Sequence, residues 1–356
     1  MLKNMNKTKR SNLITYAIVI VAFVVMQTLS STGSISSLLT GLLVPLCTYS
    51  ILAVSLNLTV GVLGELSLGH AGFMCIGAFS SAFFTACMKD TITNDLLRFI
   101  LAFIVAAVCA GICGILIGIP VLRLKGDYLA IVTLAFGEII MNIINALYVG
   151  RDENGFHFSM KDSMSLNMSD SGKIIIKGAQ GITGTARQST FTIGIILLLL
   201  TLVVVLNLMN SRSGRAIMSI RDNRIAAESI GIDITKYKIM AFAISASLAG
   251  LAGCLYAHNL SSLTALPKNF GYNMSIMILV YVVLGGMANM RGSIIAAVLL
   301  TMIPELLRQI GEYRMLIYAV IMIVMMIFNW SPKVKEWREA HSIKGAFHKK
   351  NVKEAE

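Results

Sequence analysis

Apolar runs long enough to cross a lipid bilayer recur along almost the whole chain, and that one property removes most of the folds open to 356 residues. A membrane helix needs about 20 mostly apolar residues, because backbone polar groups in hydrocarbon must pair within their own segment. Ten stretches reach that length: 12–30, 41–62, 66–87, 98–122, 127–149, 191–209, 237–257, 272–289, 293–310 and 313–330. The expectation is an all-α polytopic membrane protein of about ten transmembrane helices, with glycine-rich stretches that would allow breaks in some. A basic segment over 1–11 precedes the membrane domain, 12–330, and a charged tail occupies 331–356. A chain that is 56% hydrophobic and 13% charged is no ordinary soluble domain.

Ten passes place both termini on one side. With the termini in the cytoplasm, the inner segments hold four Lys and Arg in the first ten residues, two at Arg123 and Lys125, six over 211–238, one at Arg291 and seven after Pro332. That is 20 of the 30, in keeping with the positive-inside rule. The net charge of +12 follows mostly from topology and requires no nucleic-acid partner. The first apolar run also has the layout of a signal peptide, but 30–34 offers no A-x-A site, so it reads as an uncleaved span. All six cysteines fall in apolar runs and read as small hydrophobes; Cys109 and Cys113 share a helix face, but no metal-site spacing accompanies them.

The most distinctive polar segment is the loop over 211–238, SRSGRAIMSIRDNRIAAESIGIDITKYK, which lies between two apolar runs. Asp222 or Asn223 can cap a short helix there, Ile225, Ala226, Ala227 and Ile230 give it an apolar face, and Gly231 can end it. A helix of about eight residues does not hold in water without a docking partner. It reads either as a plug for a groove on another protein or as a basic connector on anionic lipid.

The string Ala226-Ala227-Glu228-Ser229-Ile230-Gly231 resembles the loop by which permeases of ATP-binding-cassette importers dock on their ATPase. The fuller GRAIMSIRDNRIAAESIGIDITKYKIMAFAISASLAGLAGCLYA is similar to the permease family for branched-chain amino acids, as are LSLGHA, the segment Gly126-Asp127-Tyr128-Leu129-Ala130 and the glycines at 285, 286 and 292. The resemblance covers roughly 40–330. It implies a multi-pass permease of the bacterial inner membrane that forms part of a translocation pathway for Leu, Ile or Val. The implied partners are a homologous second permease, two ATP-binding-cassette ATPases and an extracytoplasmic solute-binding protein. It also implies that Arg221, Asp222, Asn223, Arg224, Ile225, Ala226, Ala227, Glu228 and Gly231 form the ATPase-coupling loop. No cofactor is expected on this chain: it has no G-x-x-x-x-G-K-[ST], so ATP would be used by the partner ATPases. No metal site and no catalytic residue of its own are expected.

Candidate pathway residues are Gly69, His70, Gly72, Glu138, Gly285 and Gly286. The stretch GVLGELSLGHAGFMCIGAF is dense in glycine, which permits close helix contact or the kind of break at which transporters expose backbone to substrate. His70 reads as a substrate contact or as a structural imidazole. Glu65 belongs near the cytoplasmic end of its span, where a carboxylate costs little. Glu138 lies eleven positions after Asp127, about 16 Å along a helix and near mid-membrane. It either lines the pathway or pairs with Asn142 or a neighbouring helix. Gly285 and Gly286 read as a hinge, a break or small-residue packing. Ser245, Ala249 and Gly253, with Ala246 and Gly250 alongside, make a close-packing helix face. The polar segment over 151–188 is the long outer loop, which in this family would meet the solute-binding protein. Two other classes stand beside the importer: a membrane enzyme using His70, Glu138 or Asp127, and an ion-coupled carrier using Glu138. Within the family, urea or short amides are the alternative substrates.

Overall fold

The computed structural model describes residues 7–330 apart from 33–35, 90, 125, 153–154, 167 and 169–171. The expectations for residues 1–6, for Lys125 and for the tail over 331–356 lie outside the described residues. Two compact units divide the chain, Met1–Val298 and Leu299–Glu356.

Seven helices among the described residues are long and apolar enough to span a membrane, and they follow the first seven apolar runs. They are α1 (Lys7–Ser31), α2 (Ser37–Asn57) with the π-helical turn Leu58–Leu63 that continues it, α3 (His70–Cys87), α4 (Asp95–Val121), α5 (Asp127–Ala146), α6 (Phe191–Asn210) and α9 (Ile234–Ala257). Between α6 and α9 come α7 (Arg212–Asp222) and α8 (Arg224–Ser229). After α9 come the single turn α10 (Pro267–Phe270), α11 (Tyr272–Gly285), α12 (Met290–Leu306) and α13 (Arg314–Trp330). The last three apolar runs therefore fold as helices of 14, 17 and 17 residues. In the second unit the chain kinks before α13, at Gly311, where φ is 65°.

α9 lies at the centre of the first unit and packs most extensively on α4, α3 and α2. Small residues make this possible, because helices without a hydrophobic drive between them associate through close backbone approach. Ser245, Ala246, Ala249, Gly250 and Gly253 are all buried. A Cβ placed on Gly77 or Gly253 would meet the backbone of the facing helix, α9 or α3, and one on Gly114 of α4 would lie 2.6 Å from Ala246 Cβ. α4 shows the complementary pattern: Ala102, Ala106 and Ala110 are buried, while Ile100, Ile104, Val108, Ile112 and Leu116 are exposed. That outer row faces lipid in a bilayer, where exposed aliphatic surface carries no penalty.

The all-α expectation needs one correction. The chain leaves α5 at Leu147 and enters a three-stranded antiparallel sheet of β1 (Tyr148–Asp152), β2 (Gly155–Ser159) and β3 (Lys173–Lys177), in the order β2-β1-β3. Strands β4 (Ile182–Thr183) and β5 (Ser262–Leu263) pair separately. The loop expected over 151–188 thus begins as ordered structure three residues earlier. Val149, Ile175 and Ile176 are buried, so the β-branched run Ile174-Ile175-Ile176 gives one face of the sheet something to pack. The tight turn between β3 and β4 closes with Lys177 N–H donating to Gly181 O at 2.9 Å.

Candidate functional site

The loop between α6 and α9 is two helices rather than one short helix on a polar linker. Ser211 starts the first by accepting from Gly214 N–H at 3.0 Å, and α7 then buries Gly214, Ile217 and Ile220. Asn223, at φ −155° and ψ 104°, turns the chain out of α7 and caps α8 by accepting from Ala226 N–H at 3.1 Å. The end of α8 is a Schellman motif: Gly231 N–H donates to Glu228 O at 3.0 Å and Ile232 N–H to Ala227 O at 3.1 Å. Gly231 sits at φ +83°, where a side chain would be strained. Asp233 then opens α9 by accepting from Lys236 N–H at 3.1 Å.

The apolar residues of α8 divide between two faces. Ala227 is buried in a small cluster with Ile220 and Ile234, which fastens α8 to the helices on either side of it. Ile225 and Ile230 are 78% and 75% exposed, and Arg224, Ala226 and Glu228 are exposed with them. A six-residue helix is thus held by one alanine and presents aliphatic side chains outward.

Two side-chain bonds tie the loop to residues 61–65 of the bundle. Arg221 Nη1 donates to Gly61 O at 3.0 Å, while its Nε and Nη2 hold Asp222 Oδ1 at 3.0 and 2.9 Å. At the start of α9, Lys238 forms an ion pair with Glu65. The side chains of Lys238 and Glu65 are only 5% and 17% exposed. Glu65 is therefore a partly buried carboxylate paired with a buried lysine.

Gly61 and Glu65 belong to a break in the helix. α2 widens into the π-helical turn, the helix stops at Gly64, and residues 65–69 are non-helical until α3 starts at His70. The neighbours satisfy the backbone that the break frees, as hydrocarbon requires. Leu68 N–H donates to Thr133 Oγ1 at 3.0 Å, and Ala71 N–H to Ser275 Oγ at 3.1 Å. His70 is 2% exposed, with Nε2 2.7 Å from Ser55 Oγ. Gly69 and Gly72 lie against α5: a Cβ on the first would meet the Thr133 backbone, and one on the second would sit 2.8 Å from Gly137 Cα.

A second break lies between α11 and α12. Gly285 packs on the backbone of Gly292 and Ser293, Gly286 takes φ +93°, and Ala288 is a non-glycine residue at φ +63°. One side chain joins the two breaks. Asn57, the last residue of α2, accepts from Ala288 N–H at 2.8 Å and donates to Ser293 Oγ at 2.7 Å. A Cβ on Gly61 would meet both Asn57 Oδ1 and the Ala288 backbone.

Glu138 follows Gly137, which packs on Gly72, but its carboxylate bonds neither break. Its Oε1 accepts from Tyr272 N–H at 2.6 Å, so the carboxylate lies at the N-terminus of α11, where the helix dipole favours a negative charge. Asn142 bonds the Glu138 carbonyl at 2.8 Å, not its carboxylate. The geometry thus brings Gly69, His70 and Gly72 together, puts Gly285 and Gly286 against the same region through Asn57, and leaves Glu138 capping a helix. Sequence reasoning missed Asn57, Lys238, Thr133 and Ser275. Each is a polar residue within or beside an apolar run, which was the available signal. Among the described residues no group of three or more His, Cys, Asp and Glu side chains could hold a metal.

Comparison with known proteins agrees with this architecture. A family described as branched-chain amino acid transport system / permease component matches residues 38–328. The high-affinity branched-chain amino acid transport system permease protein LivM of Salmonella typhimurium is 34% identical over 294 residues, 80% of this chain and 67% of the relative. Its counterpart from Escherichia coli is 33% identical over the same length and shares. The autoinducer 2 import system permease protein LsrC of an Enterobacter species is 29% identical over 101 residues, 28% of this chain and 29% of the relative. No solved structure matches.

Proposed function

The chain belongs to the branched-chain amino acid permease family, and from that premise we propose that it is the translocation subunit of an ATP-driven, binding-protein-dependent importer of Leu, Ile or Val. The observation that carries the coupling half of this reading is α8. It is capped at both ends, pinned by Ala227, and presents Ile225 and Ile230 outward. Exposed aliphatic side chains on a basic loop suit a groove on a soluble partner better than they suit water. In this reading two ATPases bind α8 from the cytoplasm, a homologous permease completes the pathway, and a solute-binding protein delivers substrate to the outer side, where the β1–β3 sheet lies. α11 is about 21 Å long, short of a hydrocarbon core of about 30 Å. A bilayer thins locally around a short span, so in this reading α11, α12 and α13 are still the remaining passes, with both termini in the cytoplasm of a bacterial inner membrane.

The helix breaks supply what an aliphatic zwitterion needs: apolar walls with a few fixed polar groups. Ser67 lies within the first break, buried, and its hydroxyl has no hydrogen-bond partner among the described residues. Glu138, the acid on which an ion-coupled carrier would rely, is engaged at the α11 N-terminus, which argues for the importer.

The test is leucine uptake into vesicles holding this chain, a partner permease and two ATPases, with and without internal ATP and external binding protein. Uptake that needs both is expected. Leucine uptake driven by an ion gradient alone would overturn the importer. ATP-dependent uptake of urea or a short amide in place of leucine would change the substrate and keep the mechanism. Ile225→Asp, which alters only an exposed side chain, is expected to abolish ATPase capture while leaving membrane insertion intact.

A further inference from the structure

α8 is bracketed by two tethers that land on the same five residues. Arg221, two positions before its cap, bonds the Gly61 carbonyl, and Lys238, seven positions after Gly231, pairs with Glu65. Both arms of the loop converge on the first helix break. Gly64 lies between the two anchor points with Arg221 against it: a Cβ there would be 2.6 Å from Arg221 Cγ. The break in turn touches the second break through Gly61, Ala288 and Asn57.

Three features set this arrangement apart from ordinary packing. A buried ion pair is a poor way to gain stability, since desolvation of both charges offsets most of their attraction, but it holds two elements in one register. The carbonyl held by Arg221 belongs to a π-helical turn, whose backbone bonding is already irregular and so easily rearranged. Ala227 and its cluster fasten α8 to α7 and to the start of α9, so a pull on α8 passes to the elements carrying Arg221 and Lys238.

We propose that Arg221, Lys238 and Glu65 are positioning residues that transmit displacement of α8 to the first helix break, so that ATPase motion opens or closes the break at Gly61–Gly69. This rests on the importer reading and assigns its coupling to named side chains. Coupling of this kind needs contacts that differ between two states. The Lys238–Glu65 pair and the Arg221–Gly61 bond are those contacts in the state described here.

The experiment uses the full complex in vesicles and reads three quantities for each variant: ATPase retained on the permease, ATP hydrolysed, and leucine taken up per ATP. Glu65→Gln, Lys238→Met and Arg221→Gln are expected to keep the ATPase bound and to lower uptake per ATP by about tenfold, within the usual range of coupling energies. The charge-swapped double variant Glu65→Lys with Lys238→Glu is expected to recover part of that loss, which separate roles of the two charges would not produce. Arg221 is partly exposed, so Arg221→Gln keeps the test alive if the ion-pair variants fail to fold. Unchanged uptake per ATP in Arg221→Gln, or a loss that merely follows lost ATPase binding, overturns the proposal while ATP-driven uptake by the wild type keeps the importer reading. A wild-type complex that imports without ATP overturns the reading and this proposal together.

Discussion

The two helix breaks solve the same physical problem by different means. The first, between the π-helical turn and α3, is held from many directions: Thr133 of α5, Ser275 of α11, Ser55 of α2, Arg221 of α7 and Lys238 of α9. The second, between α11 and α12, is held by its own glycines, by a strained Ala288 and by Asn57. A break whose backbone groups are bonded from α5, α7 and α11, and whose side chains are bonded from α2 and α9, moves only when those helices move. A break that closes on itself moves as a unit. The first is therefore the one able to sense distant elements, and the second follows through Asn57.

The sharpest way to break this comparison is at the point of contact. Gly61→Val would drive a Cβ into Asn57 and the Ala288 backbone, which cannot yield as a flexible side-chain end would. We expect a loss of about 4 kcal/mol or more, read as failure to recover folded protein in detergent. Next is Asn57→Leu, which fits the volume but orphans Ala288 N–H and Ser293 Oγ. It should destabilise by about 3 kcal/mol in chemical denaturation, and proteolysis should open both breaks together. Opening of only one would show that Asn57 does not join them.

His70→Ala removes the partner of Ser55 and leaves a cavity in the first break, with an expected loss of about 2 kcal/mol and no change in protease sensitivity at 286–289. The smallest effect belongs to the second break. Gly286→Ala makes only ordinary contact, with Asn289 Cβ 3.6 Å away, so it is its φ of +93° that opposes the change. About 1 kcal/mol is expected, and a shift as large as that of Asn57→Leu would mean that the second break is not self-contained.

Much of this was legible in the chain. Seven of the ten expected spans return as helices long enough to cross a membrane, as run length implies when hydrocarbon allows backbone groups no other partners. A cap at Asp222 or Asn223 and a stop at Gly231 follow from local chemistry that acts over four or five residues, and the structure selects Asn223. The glycines at 61, 69 and 72 were visible as sites of close approach or breakage, but the sequence could not say which. That choice depends on whether a facing helix offers Thr133 and Gly137 at the same height. The sheet after α5 was missed because a short strand gains its stability from its neighbours, and β1 pairs with β3 over an intervening twenty residues.

By itself, then, the sequence determined the membrane-spanning class, the ends of most helices and the short helix α8, since each rests on solvent or on interactions between near neighbours. Only the tertiary structure decided that Lys238 meets Glu65, that Arg221 reaches Gly61, and that Glu138 caps α11. Those partners lie more than a hundred residues apart in the chain, and no local periodicity carries information about them. What selects them is the shortage of hydrogen-bonding partners in a membrane interior, which leaves each buried polar group to find another wherever the packing of the helices places one.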